Sequence, residues 1–75
     1  DDGAAEELFM RLRTLRKRLA DELGMPPYVV FPDRTLREMA VRRPRTEAEL
    51  AAIHGVGRAK LAKFGEAFLA ALNAR

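Results

Sequence analysis

The part of this sequence best suited to chemistry is a glycine turn followed by two basic residues. Gly55-Val56-Gly57 separates two segments of helical character, and Arg58 and Lys60 open the second one. Glycines permit a tight turn, and the first N–H groups of a helix lack intrahelical partners, so the turn and its cations can bind a phosphate. Short glycine-containing turns also serve as plain helix connectors, with Val56 pinned to the core. Both interpretations remain open from these residues.

A second candidate site centres on Tyr28, which follows two prolines. An aromatic ring beside positive charge can stack on a nucleic-acid base and contributes about 1–3 kcal/mol per base. The same ring can instead be half-buried in a core with its hydroxyl in water. The residue type and its surroundings do not decide between the two.

Basic side chains dominate residues 11–18, which hold five of them and no acidic residue. Such a run is typical of a surface that follows a nucleic-acid backbone. On a helical wheel, however, Arg13 and Lys17 fall together near Glu6 and Asp21. This arrangement equally favours an ordinary solvated face held by ion pairs.

A second basic group follows the tyrosine segment and is interrupted only by Glu38. Its members are Arg34, Arg37, Arg42, Arg43 and Arg45. If this group folds against Tyr28, the two basic groups form one patch. The net charge is only +3, from 14 Lys and Arg against 11 Asp and Glu. We therefore expect weak binding to roughly three or four phosphates, with a steep dependence on salt.

Catalysis, cofactors and metals find little support in the composition. The chain has one histidine, no cysteine and no evident cluster of carboxylates, so it lacks a set of residues for acid–base, nucleophilic or metal chemistry. We predict no catalytic, cofactor-binding or metal-binding residue, and we interpret His54 as a turn residue. No apolar run approaches the roughly 20 residues that cross a bilayer. The prediction is a cytoplasmic module without a membrane partner.

The elements that must position these residues are predicted to be helices. Leucines at intervals of three and four indicate an amphipathic helix from Ala5 to Leu23, which Gly24 ends. The segment 26–32 is strand-like in composition but has no second strand to pair with, so we predict an extended connector that buries Val30 or Phe31.

Caps and a glycine set the predicted bounds of the later helices. Asp33 is predicted to cap a helix that ends near Val41, with Thr35 and Glu38 as an alternative capping box. Thr46 and the following glutamates carry the same signal for the next helix. Gly65 predicts a kink or break in the last helix. The prediction is an all-α bundle of four or five helices in one domain over residues 1–75, with 1–4 as a linker remnant of a longer protein.

The order of these motifs resembles the HRDC domain, the helicase and RNase D C-terminal module, over roughly residues 8 to 72. The residues that carry the resemblance are Leu8-Phe9, Leu12-Arg13, Leu15-Arg16-Lys17, Ala20, the segment from Pro26 to Phe31, Leu36, Glu38-Met39-Ala40, Pro44, Leu50, Gly55-Val56-Gly57, Lys60, Phe64-Gly65 and Phe68-Leu69. Many relatives have proline before the glycine turn, where this chain has His54. The resemblance implies a compact bundle of about five helices with a helix-hairpin-helix-like Gly-Val-Gly turn.

The resemblance also implies a function, most naturally as the accessory DNA-binding module of a bacterial RecQ-family helicase, near the nucleoid. In DNA-binding relatives the aromatic of the Pro-Pro-Tyr segment and nearby basic residues form a patch for single strands. The matching residues here are Tyr28, Arg13, Lys17, Arg34 and Arg37, and Arg58 and Lys60 of the glycine turn complete the predicted contacts to weakly bound single-stranded or junction DNA. Two rivals stay open, namely docking on the helicase core or another protein, and the equivalent module of an RNase D-type nuclease.

Overall fold

A computed structural model describes residues 2 to 74, and five helices account for most of that range. The helices are α1 (Asp2–Leu23), α2 (Pro27–Val30), α3 (Asp33–Arg42), α4 (Glu47–Ala51) and α5 (Arg58–Asn73). Residues 2 to 74 contain no strand, so the predicted all-α class with about five helices is confirmed. Residues 3 and 4 lie in the first turn of α1, and the assignment of 1–4 to a linker stays a prediction.

The long first helix follows its leucine pattern and ends where its glycine predicts. Gly24 has a φ of +66°, which an L-residue with a side chain adopts only at a cost. The amide of Met25 donates to the carbonyl of Ala20 at 3.0 Å, and the amide of Gly24 donates to Asp21 at 3.2 Å. These are the two hydrogen bonds of a Schellman motif, which satisfies carbonyls that the helix end leaves unpaired.

The predicted extended connector is wrong, because part of it forms the one-turn helix α2. Pro27 occupies the first helical position, where its fixed φ suits a helix and its missing N–H costs nothing. The amide of Val29 closes the turn on the carbonyl of Pro26 at 3.0 Å. Val30 and Phe31 are both fully buried, as the burial prediction required.

The two predictions for the start of α3 are also wrong. Pro32 is the N-cap residue and makes no side-chain capping bond, and Asp33 is already the first helical residue. Thr35 donates its hydroxyl to the carbonyl of His54 at 3.1 Å instead of capping its own helix. At α4 the prediction is confirmed, since the hydroxyl of Thr46 accepts from the amide of Glu49 at 3.1 Å.

Helix α5 runs as one α-helix from Arg58 to Asn73, so the predicted break at Gly65 is wrong, and the alternative of a kink stays a prediction. Gly65 is buried, and a Cβ built there would lie 3.1 Å from Cδ1 of Leu61 and 3.9 Å from Cδ2 of Leu50. The glycine therefore leaves room for the side chain of Leu61, one turn earlier on the same helix. Its low helix propensity, which costs about 1 kcal/mol relative to alanine, does not interrupt α5.

The core is centred on Phe31, the residue between α2 and α3. Its ring meets Phe68 edge-on at 5.0 Å and Phe64 at 6.0 Å, the geometry that aromatic quadrupoles favour. Other residues buried with it are Leu8, Phe9, Leu12, Ala20, Val30, Leu36, Met39, Ala40, Leu50, Ile53 and Val56. Because Phe31 is buried, the α2 segment that precedes it is anchored to the bundle.

Candidate nucleic-acid interface

Helices α1 and α3 lie side by side in opposite directions. Glu6, near the start of α1, pairs with Arg37 late in α3 at 3.2 Å, whereas Arg16 further along α1 pairs with Asp33 at the start of α3 at 2.8 Å. The two ion pairs thereby connect α1 to α3 at two points along their lengths.

Arg13 and Arg37 meet around the ring of Phe9. The guanidinium carbon of Arg37 lies 3.9 Å from the ring centroid and that of Arg13 lies 5.9 Å from it. Both guanidinium groups belong to exposed residues, while Phe9 is buried. An Arg placed over an aromatic face is attracted by the ring quadrupole. Two of the predicted site residues are thus neighbours in space although 24 positions separate them in sequence.

A groove of about 480 Å³ joins Arg13 to the tyrosine segment. Arg13, Lys17 and Pro27 all line it, which places the start of α2 beside the basic residues of α1. Tyr28 follows Pro27 directly and is 68% exposed. Its side chain is therefore accessible rather than half-buried.

The remaining predicted basic residues of α1 and α3 differ in how they are neutralised. Lys17 pairs with Asp21 at 2.9 Å, and both side chains are largely exposed, so the pair adds little stability and remains accessible to other anions. Arg34 is exposed and forms no ion pair with residues 2 to 74. We define the basic flank as Arg13, Lys17, Arg34 and Arg37, together with Tyr28.

The second basic group does not stay together. Arg42 pairs with Glu38 within α3 at 3.3 Å. Arg43 and Arg45 line a different groove, beside Asn73 at the end of α5. Because of this division, Arg42, Arg43 and Arg45 are left out of the basic flank.

The glycine turn lies against α3. Val56 is buried, which pins the turn to the core as predicted. Gly55 has a φ of +95° and faces Thr35 so closely that a Cβ there would overlap the threonine hydroxyl. Arg58 is exposed and has no ion-pair partner within residues 2 to 74. Lys60 is directed elsewhere, because its ammonium donates to the carbonyls of Val29 at 2.6 Å and Val30 at 3.0 Å.

Arg16 is a residue whose role sequence reasoning missed. Its Nη1 donates to the carbonyl of Phe31 at 2.8 Å and its Nη2 pairs with Asp33, and only 9% of its side chain is exposed. Its Nε is buried without a hydrogen-bond partner. The sequence does contain an indication that Arg16 is buried, because position 16 follows Leu12 by four residues and so lies within the apolar stripe of α1.

Residues 2 to 74 contain no group of three or more metal-ligating side chains close enough to hold an ion. Within the same range, no helix combines the length and apolar character that crossing a bilayer requires.

The fold and its flank together define a small helical domain with an exposed ring beside basic residues. Residues 5–72 match the model of the HRDC domain family, and the chain belongs to this family. The resemblance drawn from the sequence motifs is thereby confirmed.

Two relatives of this chain are ATP-dependent DNA helicases. The chain is 51% identical over 69 residues to the ATP-dependent DNA helicase RecQ of Bacillus subtilis. The matched region covers 92% of this chain and 12% of that protein. It is 40% identical over 70 residues to the ATP-dependent DNA helicase UvrD2 of Mycobacterium bovis, and that match covers 93% of this chain and 10% of that protein. The chain therefore spans about a tenth of the length of these curated relatives.

A solved structure shows the same architecture. The third HRDC domain of the D. radiodurans RecQ protein superposes with a TM-score of 0.89 at 42% sequence identity. The match covers 92% of this chain and 91% of that domain, so the two chains share one fold over nearly their whole lengths.

Proposed function

We propose that this chain is the accessory nucleic-acid-binding domain of a bacterial RecQ-type DNA helicase, working in the cytoplasm near the nucleoid. The observation that carries the proposal is the position of the 68% exposed Tyr28 beside a groove lined by Arg13 and Lys17. The domain makes weak contacts to single-stranded or junction DNA and has no catalytic role of its own. The RecQ relatives support the helicase context.

The residues of the basic flank make two kinds of contact with the nucleic acid, namely base stacking and phosphate binding. Tyr28 stacks on a base, which is independent of sequence because every base has a π-face. Arg13, Lys17, Arg34 and Arg37 contact phosphates, which sets position and affinity without reading bases. Arg58 offers one further phosphate contact at the start of α5.

The mechanism is avidity. A site that contacts a few phosphates binds weakly at physiological salt. When it is tethered to a motor domain, its effective local concentration reaches the millimolar range for a short flexible linker. A weak contact then changes which DNA structures the motor holds.

Fluorescence anisotropy with labelled single-stranded, duplex and forked DNA tests the proposal, at low and near-physiological salt. We expect binding that prefers single strands or forks and weakens steeply with salt. Arg13→Glu should weaken it at least several-fold, since a cation near the phosphates becomes an anion. The matched control is Arg11→Glu, because Arg11 is also exposed on α1 but lies about 160° away on the helical wheel.

Two results would overturn the proposal. If the wild-type chain fails to bind any of the three DNAs even at low salt, direct DNA contact is not its role. If Arg11→Glu and Arg13→Glu weaken binding equally, net charge alone drives the association and the basic flank is not the site.

A second candidate function is docking on the helicase core or another protein. The observation that favours it is a shallow groove of about 260 Å³ lined by Phe9, Arg37 and Val41, where Val41 is 72% exposed and Arg37 is already paired with Glu6. A partner with an apolar side chain beside an acidic group fits this groove. Val41→Ser separates the two functions, since it removes the exposed apolar side chain without placing a charge beside Arg37, and it should weaken docking while leaving DNA binding within about two-fold.

A further inference from the structure

Three consecutive backbone carbonyls at the end of α2 each accept a hydrogen bond from a cationic side chain. Lys60 of α5 donates to Val29 at 2.6 Å and to Val30 at 3.0 Å. Arg16 of α1 donates to Phe31 at 2.8 Å. Two helices that are distant in sequence thus hold one short segment from two sides.

Helix α2 depends on such external partners. It has only four residues, so its carbonyls have almost no intrahelical partners. A helix this short is not stable by itself in water. Cationic side chains can satisfy the last carbonyls of a helix and interact favourably with its dipole. The ammonium of Lys60 also lies 5.6 Å from the ring centroid of Phe31, which anchors it further.

The result is a fixed backbone under an exposed ring. Val30 and Phe31 are fully buried and point the segment into the core, whereas Tyr28 is 68% exposed. A side chain whose backbone is already held in place loses less conformational entropy when a ligand binds to it.

We propose that Lys60 is a positioning residue for Tyr28 rather than a phosphate contact. This inference rests on the proposed function and deepens it, because it reassigns one of the predicted DNA-binding cations. Two of the three ammonium donors of Lys60 are engaged by the carbonyls of Val29 and Val30. Lys60 therefore affects Tyr28 by holding the backbone of α2, the helix that carries the tyrosine.

The first test needs no DNA. Tyr28 is the only tyrosine of the chain and there is no tryptophan, so intrinsic fluorescence reports on this ring alone. We expect Lys60→Met to lower the time-resolved anisotropy of Tyr28 and to speed amide exchange at Val29. The matched control is Lys63→Met, because Lys63 lies 5.8 Å from the Phe64 ring but makes no bond to α2.

The second test measures binding to single-stranded DNA. Lys60→Met should weaken binding about five-fold, the lower end of the contribution of one stacked base. The slope of log K against log salt should stay unchanged, whereas loss of a direct phosphate contact would lower its magnitude by about 0.7. In a Tyr28→Ala background, Lys60→Met should change affinity by less than about two-fold, because its effect passes through the ring.

The outcomes separate the inference from the proposed function. An unchanged Tyr28 anisotropy in Lys60→Met, or a salt slope lowered by about 0.7, overturns the positioning role. If Tyr28→Ala binds DNA as tightly as the wild type, the ring does not stack on a base and that part of the proposed function is wrong, while the anisotropy test still decides whether Lys60 orders the ring. Lys60→Arg, which keeps a cationic donor, should restore most of both signals. If Lys60→Met loses its helical circular dichroism, Lys60→Leu, which also lacks a donor, replaces it, and an unchanged Tyr28 anisotropy in that variant overturns the positioning role as well.

Discussion

The guanidinium of Arg37 is stacked on Phe9, with 3.9 Å between the guanidinium carbon and the ring centroid, and it also pairs with Glu6 at 3.2 Å. This residue therefore connects α3 to α1 as well as presenting positive charge. Arg34 lies one turn earlier on α3 and has no ion pair with residues 2 to 74. The two arginines thus allow binding to be distinguished from folding.

Arg34→Ala should reduce DNA binding without changing stability. We expect the slope of log K against log salt for single-stranded DNA to lose about 0.7 in magnitude, as one phosphate contact disappears. The free energy of unfolding should stay within about 0.5 kcal/mol of the wild type, since the side chain is exposed and unpaired. Arg37→Ala should in addition cost about 1 kcal/mol of stability. Salt titrations and urea unfolding measure both, and an unaltered slope in Arg34→Ala would exclude it from the site.

Tyr28→Ala should weaken binding to single-stranded DNA by about 5- to 150-fold, which corresponds to 1–3 kcal/mol for one stacked base. Tyr28→Phe should bind nearly as well as the wild type, because the ring supplies the stacking and the hydroxyl does not. Because the residue is 68% exposed, neither change should disturb the core. Equal losses in both variants would indicate a hydroxyl hydrogen bond instead. Equilibrium anisotropy titrations distinguish these cases.

Gly55→Ala should destabilise the fold while Gly57→Ala should not. At Gly55 the φ of +95° and the overlap of a new Cβ with Thr35 both oppose a side chain, and we expect a loss of about 2–3 kcal/mol. At Gly57 no heavy atom lies within 4 Å of the new Cβ, and the φ of −81° suits alanine. The change there should be neutral or add up to about 1 kcal/mol. Thermal unfolding of the two variants checks the contrast, and equal stabilities would contradict it.

Arg16→Met should cost about 2–3 kcal/mol of unfolding free energy. The substitution removes a charge-assisted bond to the carbonyl of Phe31 and leaves Asp33 without its partner. The loss stays below that of a fully buried pair because Asp33 is largely exposed. Arg18→Met is the matched control, since its pair with Glu22 is exposed at 3.6 Å and should contribute less than about 0.5 kcal/mol. Chemical denaturation measures both, and similar midpoints would show that the buried contacts of Arg16 add no stability.

The sequence was most informative where local signals act alone. The leucine period of α1, the stop at Gly24 and the cap at Thr46 were predictable because each depends on residues within one or two turns. The same is true of the all-α class, since only one segment had strand-like composition.

Predictions failed where distant residues decide the outcome. Segment 26–32 forms a helical turn because Lys60 and Arg16 satisfy its carbonyls, and no local pattern contains those partners. Asp33 does not cap its helix because Arg16 engages its carboxylate. Gly65 is a different case, since the side chain that would crowd a Cβ there belongs to Leu61, one turn earlier in α5 itself.

The candidate site was predictable in residue type but not in arrangement. Tyr28, Arg13 and Lys17 were identified from composition and from the family resemblance, and they do lie around one groove or directly beside it. The orientation of Lys60 toward α2 required the tertiary contacts. The DNA-binding role of all these residues stays a prediction.

The antiparallel pairing of α1 and α3 also brings residues near the two ends of the described range to the same end of α3. Ala5 lies beside Val41 at the far end of α3, and Asn73 lies beside Arg43 just beyond it. Residues near both ends of the described range therefore lie beside the end of α3, whereas Tyr28 lies close in sequence to its start, so the candidate DNA contact is separated from both ends by the length of α3.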